Sequence, residues 1–162
     1  MLSGRVWKYG DHVNTDLIIP GRYLDDYSAA SLAAHAMEDI DPSFSTSVRM
    51  GDMIVAGRNF GCGSSREQAP LALKAAGVGA VVARSFARIF YRNCINVGLP
   101  VIMCDAAGMF STGDGAEIDL SAGTIRNIGT GDCVRFDPLP AFLLEILEEG
   151  GLVPYMKGRL ER

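Results

Sequence analysis

The chain has 162 residues, 15 of them Lys or Arg and 19 Asp or Glu, giving a formal net charge of −4, and 48% of it is hydrophobic. That is enough for one domain, residues 1–162, with a real core, and cramped for two. The lack of a basic block leaves no electrostatic footprint for nucleic acid, no apolar run reaches membrane-spanning length, and the first eleven residues meet charge and glycine too early for a signal peptide, so a soluble, cytoplasmic protein is expected.

Gly4 to Tyr9 alternates like a short strand and ends at Gly10-Asp11. Asn14-Thr15-Asp16 reads as a turn, and Leu17-Ile18-Ile19 leads into Pro20. Residues 28–40 favour a helix capped by Ser28 and closed by Asp41-Pro42. Residues 53–56 form a buried strand, 71–77 a helix closing at Gly77, 80–83 a second strand, 85–98 a helix ended by Gly98, and 99–103 a third strand. This alternation predicts an α/β sheet with crossover connections. Residues 116–120, 124–128 and 129–136 then read as antiparallel strands with glycine-rich turns, and 138–151 as a final helix with Leu143, Leu144 and Leu147 on its apolar side. No internal repeat or linker interrupts the chain.

The densest chemistry lies in residues 57–70, GRNFGCGSSREQAP. This loop leaves the carboxyl end of a strand, the favoured place for a ligand in an open α/β sheet. Gly57, Gly61 and Gly63 permit unusual backbone angles and close approach, and Arg58 and Arg66 suit bidentate binding of a carboxylate or phosphate. The P-loop, dinucleotide and G-x-S-x-G patterns are all absent, so the loop is built for an anionic small molecule of another kind. Ser64-Ser65-Arg66-Glu67 also fits a capping box in which Ser64 closes a helix, although Pro70 would fall inside that helix.

Cys62, Cys94, Cys104 and Cys133 lack metal-ligand spacing and are expected to be reduced; no metal site is expected on this chain. Cys62, near Arg66 and a helix start, reads first as a small packing residue, the alternative being a nucleophile with His12 or His35 as base. Arg84, Arg88 and Arg92 recur every four residues, as on one solvated face of a helix, with Arg88 also placed to brace the anion site or a partner.

Three segments, 14–24 (NTDLIIPGRYL), 57–70 and 84–93 (RSFARIFYRN), occur in the order found in the small subunits of 3-isopropylmalate dehydratases, in the aconitase superfamily. The chain resembles that family over nearly its whole length, most densely over residues 1–104. The resemblance implies a swivelling β/β/α domain of the aconitase C-terminal type, and a hydro-lyase active only with a separate large subunit that carries a [4Fe–4S] cluster, in a heterodimer or heterotetramer. It implies no cofactor on this chain, and self-association is open when the partner is missing. It assigns Ser64 as catalytic base and Arg66 as a substrate-carboxylate ligand with Ser65 beside it, and it brings Asp16 and Arg22 to the substrate. It places substrate choice in the segment after Tyr23: Leu24, Asp25, Asp26 and Tyr27. Two carboxylates there suit an anionic substrate only if they point away or pair with an arginine. Isopropylmalate leads, with homoaconitate, 2,3-dimethylmalate and citramalate or citraconate open. A binding module for an anionic metabolite, with Ser64 as a cap, is the alternative from another class.

Overall fold

The computed structural model describes residues 1–161. A seven-stranded mixed sheet in the order β4-β3-β2-β1-β5-β6-β7 forms its centre. β1 (Leu2–Lys8), β2 (Met53–Ala56), β3 (Ala80–Ala83) and β4 (Val101–Met103) run parallel. β5 (Gly115–Asp119) pairs antiparallel with the other edge of β1, and β6 (Thr124–Asn127) and β7 (Cys133–Arg135) follow antiparallel. The change of style expected after the third crossover strand is therefore real, and it falls on β1.

Every residue of β2 and β3 is buried, as strands covered on both faces require. Trp7, Ile54, Ala56, Val81, Ala83 and Val101 share one core with the helices. Their neighbours in sequence, Val6, Met53, Val55, Ala80, Val82 and Ile102, share a second core with Ala116, Ile118 and Ile125 of the antiparallel strands. The antiparallel half thus curls over one face of the parallel half while helices cover the other. This is the β/β/α architecture that was expected.

The helices are α1 (Thr15–Ile18), α2 (Ala29–His35), α3 (Phe44–Ser47), α4 (Gln68–Ala75), α5 (Arg88–Asn96), α6 (Ala141–Glu148) and α7 (Leu152–Leu160). Ser28 caps α2 as expected, its Oγ accepting from the Ser31 N–H at 3.2 Å. α2 nevertheless stops at His35 instead of reaching Ile40. Met37 takes a positive φ of 60° and gives its N–H to the Ile18 carbonyl at 2.8 Å, so a tertiary bond replaces the helical one. α5 starts only at Arg88 because Phe86 is still extended, bridging Phe60. α1, α3 and α7 were not anticipated; Pro154 in α7 hides its helical character in the sequence but sits in the first turn, where no N–H is needed.

Candidate active site

β1, β2 and β3 end on the same side of the sheet, and backbone hydrogen bonds lace together the segments that leave them. Gly57 and Gly61 donate to the carbonyls of Gly10 and Val13 at 3.2 and 2.8 Å, and Thr15 donates to Cys62 at 2.8 Å. On the other side, Arg84 donates to Gly57, Phe60 to Ser85 and Ala87 to Phe60, each at 3.0 Å. Residues 57–66 are therefore a clamped ribbon with a defined shape. Gly61 is required in it: its φ is 83°, and a Cβ there would lie 2.1 Å from Cγ of Phe90.

A cleft of about 400 Å³ opens between this ribbon and the start of α5. Thr15, Ser64, Ser65 and Arg66 line one part of it, and Arg88, Ile89 and Asn93 of α5 line another. Ser64 and Ser65 are exposed, and Arg66 is half-buried. The capping-box expectation for Ser64 is not met. α4 begins at Gln68, four residues further on, with Glu67 at the cap position and no side-chain cap. Pro70 explains the late start: with Gln68 first, the proline falls in the first turn, whereas a start near Ser64 would demand an N–H that Pro70 lacks. Ser64 Oγ is left with a 3.5 Å contact to Thr15 Oγ1.

Arg66 is held from behind. Its Nη1 donates to Asp16 Oδ1 at 2.7 Å and to the Ile19 carbonyl at 3.3 Å. The Arg66 hydrogen bond, followed by the Gly21 N–H at 3.0 Å, keeps the Asp16 carboxyl below the usual carboxylate range. Asp16 thus reaches the site through Arg66. Arg22 does not line the cleft; its guanidinium is taken by Asp39 at 2.8 Å and Glu38 at 3.1 Å, beside a stacked Tyr23–His35 pair. In the following segment, Leu24 is half-buried against the core, while Asp25, Asp26 and Tyr27 are exposed. Asp26 accepts the Ser28 N–H at 2.8 Å, and this bond holds its carboxyl low.

Among the described residues no group of three or more His, Cys, Asp and Glu is placed to hold a metal ion. All four cysteines are free. Burial pushes the Cys94 and Cys104 thiols up, and Cys62 does not line the cleft. Thr15, Ile89 and Asn93 were not singled out from the sequence. Their only signal was membership of the segments 14–24 and 84–93, because what places them here is the packing of α1 and α5 against the ribbon.

A mixed sheet with this clamped loop at the ends of its parallel strands defines the class: residues 11–106 match the aconitase C-terminal domain, and the chain belongs to that family. It is 59% identical over 153 residues to the methanogen homoaconitase small subunit of Methanothermobacter thermautotrophicus, covering 94% of this chain and 89% of that one. It is 55% identical to 3-isopropylmalate dehydratase small subunit 1 of Methanopyrus kandleri, over 97% and 93% of the two chains. It is 52% identical to the isopropylmalate/citramalate isomerase small subunit of Methanocaldococcus jannaschii, over 99% and 96%. A crystal structure of 3-isopropylmalate dehydratase from Methanocaldococcus jannaschii matches with a TM-score of 0.93 at 48% identity, covering 98% of this chain and 95% of that one. The resemblance drawn from the three motifs is borne out. No helix among the described residues is long and apolar enough to cross a membrane.

Proposed function

We propose that this chain is the small subunit of a cytoplasmic hydro-lyase that interconverts 2-isopropylmalate and 3-isopropylmalate by dehydration and rehydration, as leucine biosynthesis requires, and that it acts only when joined to a large subunit. The observation that carries this reading is the pairing of an uncommitted serine with a braced arginine in one open cleft. Arg66 holds a substrate carboxylate, its orientation fixed by Asp16 and the Ile19 carbonyl. Ser64 takes a proton from the carbon beside the one bearing the hydroxyl. A [4Fe–4S] cluster on the large subunit, implied by the resemblance, would supply Lewis acidity toward the hydroxyl group. Return of water at the adjacent carbon gives the isomer.

A serine is a weak base, with a pKa above the ~10 of tyrosine. The dipole of α4 falls off within its first turn and begins four residues away, so it gives Ser64 little help. Donors aimed at the oxygen, the Arg66 charge and exclusion of water by the partner must supply the stabilisation. A homoaconitate-type reaction is the second reading, favoured by the 59% identity to a homoaconitase small subunit.

The test pairs this chain with a cluster-loaded large subunit from the same source. Dehydration of isopropylmalate is followed beside homocitrate, dimethylmalate and citramalate, with each subunit alone as control. Turnover is expected only in the mixture and led by isopropylmalate. Ser64→Ala is expected to fold and assemble normally but to lose turnover by about a thousandfold. Turnover by the lone chain, or full turnover in Ser64→Ala, would overturn the reading. Metabolite binding without turnover in any mixture would leave a binding module.

A further inference from the structure

Thr15 has no role in the reaction as described so far. It is 3% exposed, yet it carries a hydroxyl where an isosteric valine would fill the same space. The contacts of its N–H and its hydroxyl fall on the ribbon that bears Ser64. The backbone N–H donates to Cys62 at 2.8 Å, Oγ1 donates to the Ser64 carbonyl at 2.9 Å, and the same Oγ1 lies 3.5 Å from Ser64 Oγ. A hydroxyl has one proton to give. With that proton on the Ser64 carbonyl, Thr15 Oγ1 faces Ser64 Oγ as an acceptor. A neutral Ser64 can then give its proton to Thr15 and keep its lone pairs toward the cleft.

We propose that Thr15 is the positioning residue of Ser64, its single hydroxyl proton resting on the Ser64 carbonyl while Ser64 is protonated and turning to Ser64 Oγ when that oxygen is an alkoxide. The inference rests on Ser64 being the base. The protons balance without any net change at Thr15. The Ser64 alkoxide takes the proton from the substrate carbon, and the C–H electron pair stays on carbon to form the double bond as hydroxide leaves. The new Ser64 O–H then donates to Thr15 Oγ1, whose proton returns to the carbonyl; on rehydration hydroxide adds to the deprotonated carbon and Ser64 gives its proton to the carbon that lost hydroxide, which restores the alkoxide. This supplies a donor at the oxygen that the late start of α4 leaves short of one. The 3.5 Å gap is of the length that tightens when substrate and partner close a site.

The experiment uses the assembled two-subunit enzyme with Thr15→Val, Thr15→Ser, Ser64→Ala and the double variant Thr15→Val/Ser64→Ala, each checked for assembly and melting temperature. Thr15→Val is expected to lower kcat about a hundredfold with KM within about threefold, as loss of one donor to a developing oxyanion does. Thr15→Ser, which restores the hydroxyl, is expected to recover most of kcat. The double variant is expected to be no slower than Ser64→Ala alone, because Thr15 acts through Ser64. Should Thr15→Val fail to assemble, Thr15→Ala carries the same expectation. The proposal is overturned by an unchanged kcat in the hydroxyl-free variant, by a serine variant as slow as the valine one, or by additive losses in the double variant. Full turnover in Ser64→Ala alone would remove the base reading and this proposal with it. Loss there with no effect at Thr15 would remove only this proposal.

Discussion

Gly61 has Phe90 where a side chain would go. Its φ of 83° and the 2.1 Å approach of an added Cβ to the ring make any substitution costly twice, once in backbone strain and once in overpacking. Gly61→Ala is expected to destabilise the chain by about 3 kcal/mol, read from the midpoint of chemical denaturation. The glycine was legible as a position needing freedom, but the reason was not, because Phe90 lies 29 residues away in another element. Ser64 was legible as a residue of interest and its cap reading was wrong for a local reason, the proline that forces α4 to start late. Thr15 was hidden because a threonine in an N-T-D turn looks like any other turn residue until the turn is laid against residues 62–64.

Among the elements, α5 decides the far wall of the cleft. The spacing of Arg84, Arg88 and Arg92 suggested one helical face, yet the residues meet different surroundings. Arg84 precedes the helix and lies 3.9 Å from Asp105 near the surface, while Arg88 occupies the first turn at the cleft. Arg88→Gln is expected to raise KM for a dicarboxylate substrate about tenfold with kcat within about threefold, by loss of a charge-assisted contact. Arg84→Gln is expected to leave both constants unchanged, and steady-state kinetics of the assembled enzyme separate the two. The parallel strands were readable because burial on both faces leaves continuous apolar runs such as MIVA and AVVA. Helix ends were less readable: α2 and α5 are trimmed by tertiary bonds at Met37 and Phe86, which no local propensity encodes.

At the scale of the whole molecule, the joining of β1 to the segment that leads into β2 rests on one buried carboxylate. Asp52 precedes β2 and accepts from Trp7 Nε1 at 3.0 Å, Arg49 N at 2.9 Å and Arg5 Nη2 at 3.1 Å. Burial alone would push its carboxyl up, but the three donors outweigh it and hold the group below the usual range. A carboxyl lowered in the folded state stabilises the fold fully above its unfolded value of about 3.9, and that contribution is lost as pH falls through the folded value. Asp52→Asn is expected to cost about 2 kcal/mol at pH 7 and to flatten the loss of stability below pH about 4, measured by denaturation across that range. An α/β sheet with an added antiparallel part was legible from the change of strand style and the β/β/α plan only through the family resemblance, because the curling of one half over the other is fixed by which residues of β1–β4 meet Ala116, Ile118 and Ile125. The bolting of Gly61 against Phe90 has a historical corollary under the proposed reading. A loop that cannot drift without rebuilding a helix is closed to gradual tinkering, so new substrate tastes have to be acquired elsewhere. Residues 24–27, exposed but for Leu24 and tied by local turn bonds such as Asp26–Ser28, are open to it. Reactivity and appetite are then inherited as separate parts, and relatives named for homoaconitate, isopropylmalate and citramalate can share one scaffold.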